Sequence, residues 1–191
     1  MLFSEVLGLP HIKNHLTTSA DNGRIPHAQL FVGSAGSGSL PMALAYAQYI
    51  LCNNTSAENN TGNSSCNTRI NRLSHPDLHF AFPVANNDKV KKNAVSSSFL
   101  EEWRQFVKEE PYGSLYDWYQ KLGIENKQGK IGVDEAQDIV KSLSLKAYEG
   151  GFKVMLIWMA EKMNREAANK LLKLIEEPPN KTLFILIAEE E

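Results

Sequence analysis

Apolar residues fall in two rhythms along this chain. Continuous runs at Ala28-Gln29-Leu30-Phe31-Val32, Phe152-Lys153-Val154-Met155-Leu156-Ile157-Trp158 and Thr182-Leu183-Phe184-Ile185-Leu186-Ile187-Ala188 have strand length. Such runs suit buried parallel strands covered by helices on both faces. Helical spacing alternates with them. Ile12 and Leu16 follow Pro10 and stop at Asp21-Asn22-Gly23, and Pro41 to Ala47 reads as a second helix. Val133, Ala136, Ile139, Val140 and Leu143 form a stripe that Gly150-Gly151 ends. Asn164 is placed to cap a helix with Ala168, Leu171, Leu172 and Ile175 on one face, and Glu176-Glu177-Pro178-Pro179 terminates it. The alternation predicts an α/β fold with a doubly wound parallel sheet, in one domain over residues 1–191.

Two stretches break the rhythm. Residues 53–65 are almost wholly Asn, Ser, Thr and Gly, which predicts a mobile polar surface loop. Residues 81–130 read as a helical insertion, with Phe99, Trp103 and Phe106 on one face and Leu115, Trp118, Tyr119 and Leu122 on another. Trp103, Tyr112, Tyr116, Trp118 and Tyr119 either pack this insertion onto the parent domain or form a recognition surface, and packing is the commoner use of such stripes. Composition adds exclusions. A net charge of −2, from 20 basic and 22 acidic side chains, gives no overall field for nucleic acid or an anionic membrane. No apolar run approaches membrane-spanning length and no basic leader opens the sequence, so a cytoplasmic protein is expected. Its two cysteines, Cys52 and Cys66, are expected to be reduced thiols.

The candidate chemistry sits between the first strand and the second helix. Gly33-Ser34-Ala35-Gly36-Ser37-Gly38 makes a strand, glycine loop, helix order, and Gly33 and Gly38 hold the first and last glycine positions of G-x-x-x-x-G-K-[ST]. Such a loop needs converging backbone N–H groups, a lysine for the outer phosphates and a hydroxyl for Mg²⁺. Ser39 takes the lysine position and Leu40 the hydroxyl position. A second requirement is an apolar strand ending in an acidic pair that orients Mg²⁺ and polarises water. Trp158 and Met159 stand there, and neither can coordinate a hard cation or accept a proton. Glu161 nearby reads as a solvated carboxylate. Gly33, Gly36, Gly38, Ser39 and Leu40 thus read as a degenerate Walker A loop, and Trp158 and Met159 as a degenerate Walker B end. No catalytic residue, bound metal or ATP is expected.

Longer patterns carry a resemblance. Gly23-Arg24-Ile25-Pro26-His27-Ala28, His75-Pro76-Asp77, Ile131-Gly132-Val133-Asp134-Glu135-Ala136 and Ala168-Asn169-Lys170-Leu171-Leu172-Lys173-Leu174-Ile175-Glu176-Glu177-Pro178-Pro179 follow one another in order. Together they resemble bacterial clamp-loader AAA+ subunits. The resemblance implies a three-layer P-loop NTPase (AAA+) fold and a part in ATP-driven loading of the sliding clamp during DNA replication. Implied partners are the gamma/tau and delta subunits, and indirectly the sliding clamp and primer-template DNA, with no membrane. The degenerate loops favour the family's non-catalytic branch over its gamma/tau motors. The family's lid and collar domains and its Ser-Arg-Cys motif have no counterpart in this sequence, and Arg24 and Arg165 read as surface charges. Lys170 and Lys173 suit either a solvated helix face or contact with phosphate. The family commonly holds a structural zinc with four cysteines, whereas Cys52 and Cys66 would need His75 and His79 to complete a set, so zinc is not expected. Two other functions compete, an active gamma/tau-type ATPase and an AAA+-like DNA-binding module outside replication. Ser39, Leu40, Trp158 and Met159 weigh against the first, and the Glu-Glu-Pro-Pro helix against the second.

Overall fold

The computed structural model describes residues 1–52, 64–149 and 151–190. Helix α1 (Pro10–Asp21) starts with proline in its first turn, where the missing N–H is no loss. Strand β1 (Ala28–Val32) runs through the glycine loop into α2 (Ser39–Leu51). Then come α3 (Ser64–Asn71), β2 (Leu78–Ala81), α4 (Leu100–Glu109), α5 (Leu115–Leu122), α6 (Val133–Ser144), β3 (Lys153–Trp158), α7 (Arg165–Glu176) and β4 (Thr182–Ala188). The four strands form one sheet in the order β1-β4-β3-β2, and every pair is parallel. No helix among the described residues is long and apolar enough to cross a membrane.

Period-two alternation assigns the strand side chains to two cores. Val154, Leu156 and Trp158 of β3, with Leu183, Ile185 and Ile187 of β4, join α2, α4 and α5 on one face. Met155, Ile157 and Phe184 join Ile139, Leu143, Ala167 and Leu171 of α6 and α7 on the other. Helices on both faces explain why β3 is buried along its whole length.

Several expectations need correction. The β1 run is not fully buried: it is the sheet edge, with Leu30 52% and Val32 46% exposed, because no helix covers it there. Strand β2 precedes the insertion, so Phe80 and Ala81 belong to the sheet. The helical stripe of α6 ends at Ser144, before the glycine pair, where Lys153 donates to the carbonyls of Leu143 and Leu145. A buried ammonium on the last carbonyls of a helix meets the negative end of its dipole. The polar loop expected at 53–65 lies outside the described residues as far as 63, and Ser64 and Ser65 already open α3. Asn164 caps α7 as predicted, accepting from the Ala167 N–H at 2.8 Å. His75-Pro76-Asp77 has a structural task. The Asp77 carboxylate accepts the N–H groups of Tyr148 (2.6 Å) and Glu149 (3.0 Å), pinning the α6–β3 connection to the start of β2.

Candidate functional site

The glycine loop lies at the carboxyl ends of β1 and β4, where open α/β sheets place their ligands. Gly33 N–H donates to the Ala188 carbonyl at 3.0 Å and Ser37 N–H to Ser34 at 3.0 Å, which folds the loop back on itself. Gly36 (φ 78°) and Gly38 (φ 90°) occupy left-handed backbone that other residues resist. Leu40 points into the core, 4% exposed, where a Mg²⁺-binding hydroxyl would have to face the loop. Ser39 starts α2 and offers no cation.

Over this loop lies Tyr112, from the turn between α4 and α5. A Cβ built on Gly38 would stand 3.2 Å from Tyr112 Cε1, so the ring rests on the loop backbone. Its hydroxyl accepts the Leu7 N–H at 2.8 Å, tying the turn to the segment before α1. The space left among Gly33–Gly38, Pro111–Gly113, Trp158 and Met159 is about 20 Å³, comparable to a single water.

The far wall has a different filling. Trp158 is 2% exposed and packs in tilted contacts at ring distances of 5.3 Å from Trp103 and 5.6 Å from Phe106. Trp103 also contacts Phe82 at 4.3 Å and Trp118 at 5.4 Å. Trp103 and Trp118 are fully buried, which removes them from any recognition surface, whereas Tyr116 stays 59% exposed. Met159 is buried and held at φ 56°, a strained conformation for a side chain of this kind. Glu161 lies exposed on a short 3-10 turn, as expected of a solvated carboxylate.

The two cysteines are not free thiols. Cys52 at the end of α2 and Cys66 in α3 form a disulfide, with Cα atoms 5.5 Å apart. The reduced thiols expected from the sequence are not what the structure holds: the packing of α2 against α3 sets the distance between the two cysteines, and both are buried. Cys66 Sγ, a ring nitrogen of His75 and a Glu149 oxygen lie within 4.8 Å of one another. These residues do not fit the tetrahedral zinc that the family resemblance implies. The two sulfurs are bonded to each other, and His75 Nδ1 accepts the Asp77 N–H at 3.1 Å. The imidazole proton therefore sits on Nε2, making it a donor where a metal needs a lone pair. His79 lies on β2, with burial lowering its basicity, and is not part of this cluster.

A second cavity of about 290 Å³ opens between β2, α4 and α6. Glu135 lines it, accepting the Ser96 N–H at 2.6 Å, and burial pushes its carboxyl up to about 7. Arg24, Arg165, Lys170 and Lys173 are exposed and contribute to neither cavity. The structure thus gathers Gly33, Gly36, Gly38, Ser39, Leu40, Trp158 and Met159 around one spot. Tyr112, which borders it, and Leu7, which anchors Tyr112, carry no local sequence signal for doing so.

Comparison with known proteins gives a consistent set. The family described as "DNA polymerase III, delta subunit" matches residues 8–191. The chain is 29% identical over 181 residues to DNA polymerase III subunit delta' of Bacillus subtilis (strain 168), covering 95% of this chain and 42% of that protein. Against subunit delta' of Escherichia coli (strain K12) it is 25% identical over 175 residues, covering 92% and 40%. Against DNA polymerase III subunit tau of the same organism it is 26% identical over 184 residues, covering 96% and 22%. The chain spans about two-fifths of the length of these delta' relatives.

Proposed function

The chain belongs to the DNA polymerase III, delta subunit family, and from that footing we propose that it is a non-catalytic component of the clamp loader, of the delta' kind. One observation carries this reading: the former nucleotide site is filled from within. Tyr112 lies on Gly38, Trp158 is drawn into the aromatic core, and about 20 Å³ remains between them. Ser39 and Leu40 lack the charge and the hydroxyl that phosphate and Mg²⁺ require. Neither nucleotide nor zinc is a cofactor in this proposal, and the domain has no hydrolytic activity of its own. It serves as a fixed body against which gamma/tau-type motors and a delta subunit are arranged in the cytoplasm. Sliding clamp and primer-template DNA are reached through those partners.

Reconstitution tests this. Full-length protein alone should bind no Mg²⁺-ATP and turn none over, while its addition to gamma/tau and delta should be required for ATP-dependent clamp loading. Turnover by the isolated protein would defeat the proposal, as would loading that proceeds equally well without it.

A further inference from the structure

Where α2 meets α3, Cys66 Sγ lies within 4.8 Å of a ring nitrogen of His75, and two buried hydrogen-bond donors of this region lack acceptors. The His75 side chain is 1% exposed, and its Nε2–H makes no hydrogen bond, because Glu149 Oε2 at 3.4 Å is not suitably oriented. Arg69 Nε is likewise buried and unpartnered, although the terminal guanidinium nitrogens reach Ser65 and Glu149. Arg69 follows Cys66 by one helical turn on α3, so both lie on the same side of that helix. Leaving buried donors unmet is costly, and native structures rarely do so without a reason. A disulfide sulfur is a feeble acceptor, whereas a thiolate is a strong one that cationic and N–H neighbours stabilise.

We propose that Cys52–Cys66 is a thiol–disulfide exchange site whose reduced form holds Cys66 as a thiolate, and that its co-reactant is a cellular dithiol. Cys52 is 2% exposed, so the end of α2 opens before one thiolate of the dithiol attacks Cys52 Sγ; the S–S bond breaks and the electron pair leaves on Cys66 Sγ, beside His75. The second thiol of the reductant then attacks the mixed disulfide and releases Cys52, which takes up one of the two dithiol protons. The other proton goes to solvent. Two electrons pass from the dithiol, which closes to its own disulfide, to the protein. Reduction unfastens the carboxyl end of α2, the helix that begins at the glycine loop, from the helix leading to His75-Pro76-Asp77.

The test equilibrates full-length protein with graded mixtures of reduced and oxidised dithiothreitol, followed by alkylation and mass spectrometry of both cysteines. His75→Asn retains an acceptor for the Asp77 N–H and deletes the Nε2 donor. It should move the equilibrium about tenfold toward the disulfide and abolish the thiolate ultraviolet absorbance of the reduced protein. A shift below about twofold, in a variant whose melting matches the wild type, overturns the proposal. If His75→Asn does not fold, Arg69→Lys removes the Nε donor, keeps the charge and is judged by the same criterion. Stoichiometric zinc in the reduced wild-type protein would also overturn it.

Discussion

The sheet's two faces are packed from different materials. On the α4–α5 face, Phe80, Phe82, Trp103, Phe106, Trp118 and Trp158 make a continuous set of ring contacts at 4.3–6.0 Å. On the other face, α6 and α7 bring Ala136, Ile139, Leu143, Ala167 and Leu171 against Met155, Ile157 and Phe184. On the aliphatic face the small residues Ala136 and Ala167 pack among the aliphatic side chains. The aromatic face is the one that borders the glycine loop. There the insertion supplies both the rings that take up Trp158 and the turn that brings Tyr112 onto the glycine loop. Trp158 and Tyr112 are thus held, on this face, by one packing arrangement.

That contrast can be broken. Trp103→Ala should cost about 3–5 kcal/mol in urea unfolding, since it empties the centre of the ring cluster. Leu171→Ala on the aliphatic face removes fewer buried atoms and should cost less, within a range of about 2–5 kcal/mol. Equal costs would mean that the aromatic face is no more central to stability than the other.

A smaller effect probes the boundary between the faces. Glu135 ionises with difficulty in the folded protein, at about 7 against 4.5 for the free group, because it is buried. The native state therefore retains a proton that the unfolded chain releases. Stability should fall as pH rises from about 4.5 to 7 and level off above, by at most about 3 kcal/mol. Glu135→Gln should flatten this slope, read as urea midpoints at acidic and alkaline pH. A wild type that gains stability over the same interval, with the variant unchanged, would sink the assignment. Smallest is Asn164→Ala, which removes the α7 cap and should cost about 1 kcal/mol by the same measurement.

How far the residues alone could lead differed from element to element. Strands β1, β3 and β4 and helices α1, α6 and α7 are marked by periodicity and by Pro10, Asn164 and the Glu-Glu-Pro-Pro end, all of which act locally. Strand β2 is only four residues long and contains His79, so it lacks a pattern of its own. Helix α3 is mostly polar and becomes visible only through Cys66 and Ile70, its buried pair. The glycine loop and its missing lysine could be read directly. Its occupant could not, because the Tyr112–Leu7 bond joins residues 105 apart in sequence, and nothing near Tyr112 states what it will meet. The disulfide was obscured for a related reason: its geometry comes from how two helices pack rather than from the residues linking them.

Strand β4 lies between β1 and β3 in the sheet, with Ala28 opposite Phe184 and Val32 opposite Ala188. During synthesis β1 therefore waits for a partner made far later, while β2 and β3 can already pair. Leu30, Phe31 and Val32 must pass that interval without their strand neighbour, and pairings this remote in sequence are slow to form. Folding should thus close from the β2 side toward the sheet edge at β1, so that the anchoring of the strand leading into the glycine loop is among the last steps a growing chain completes.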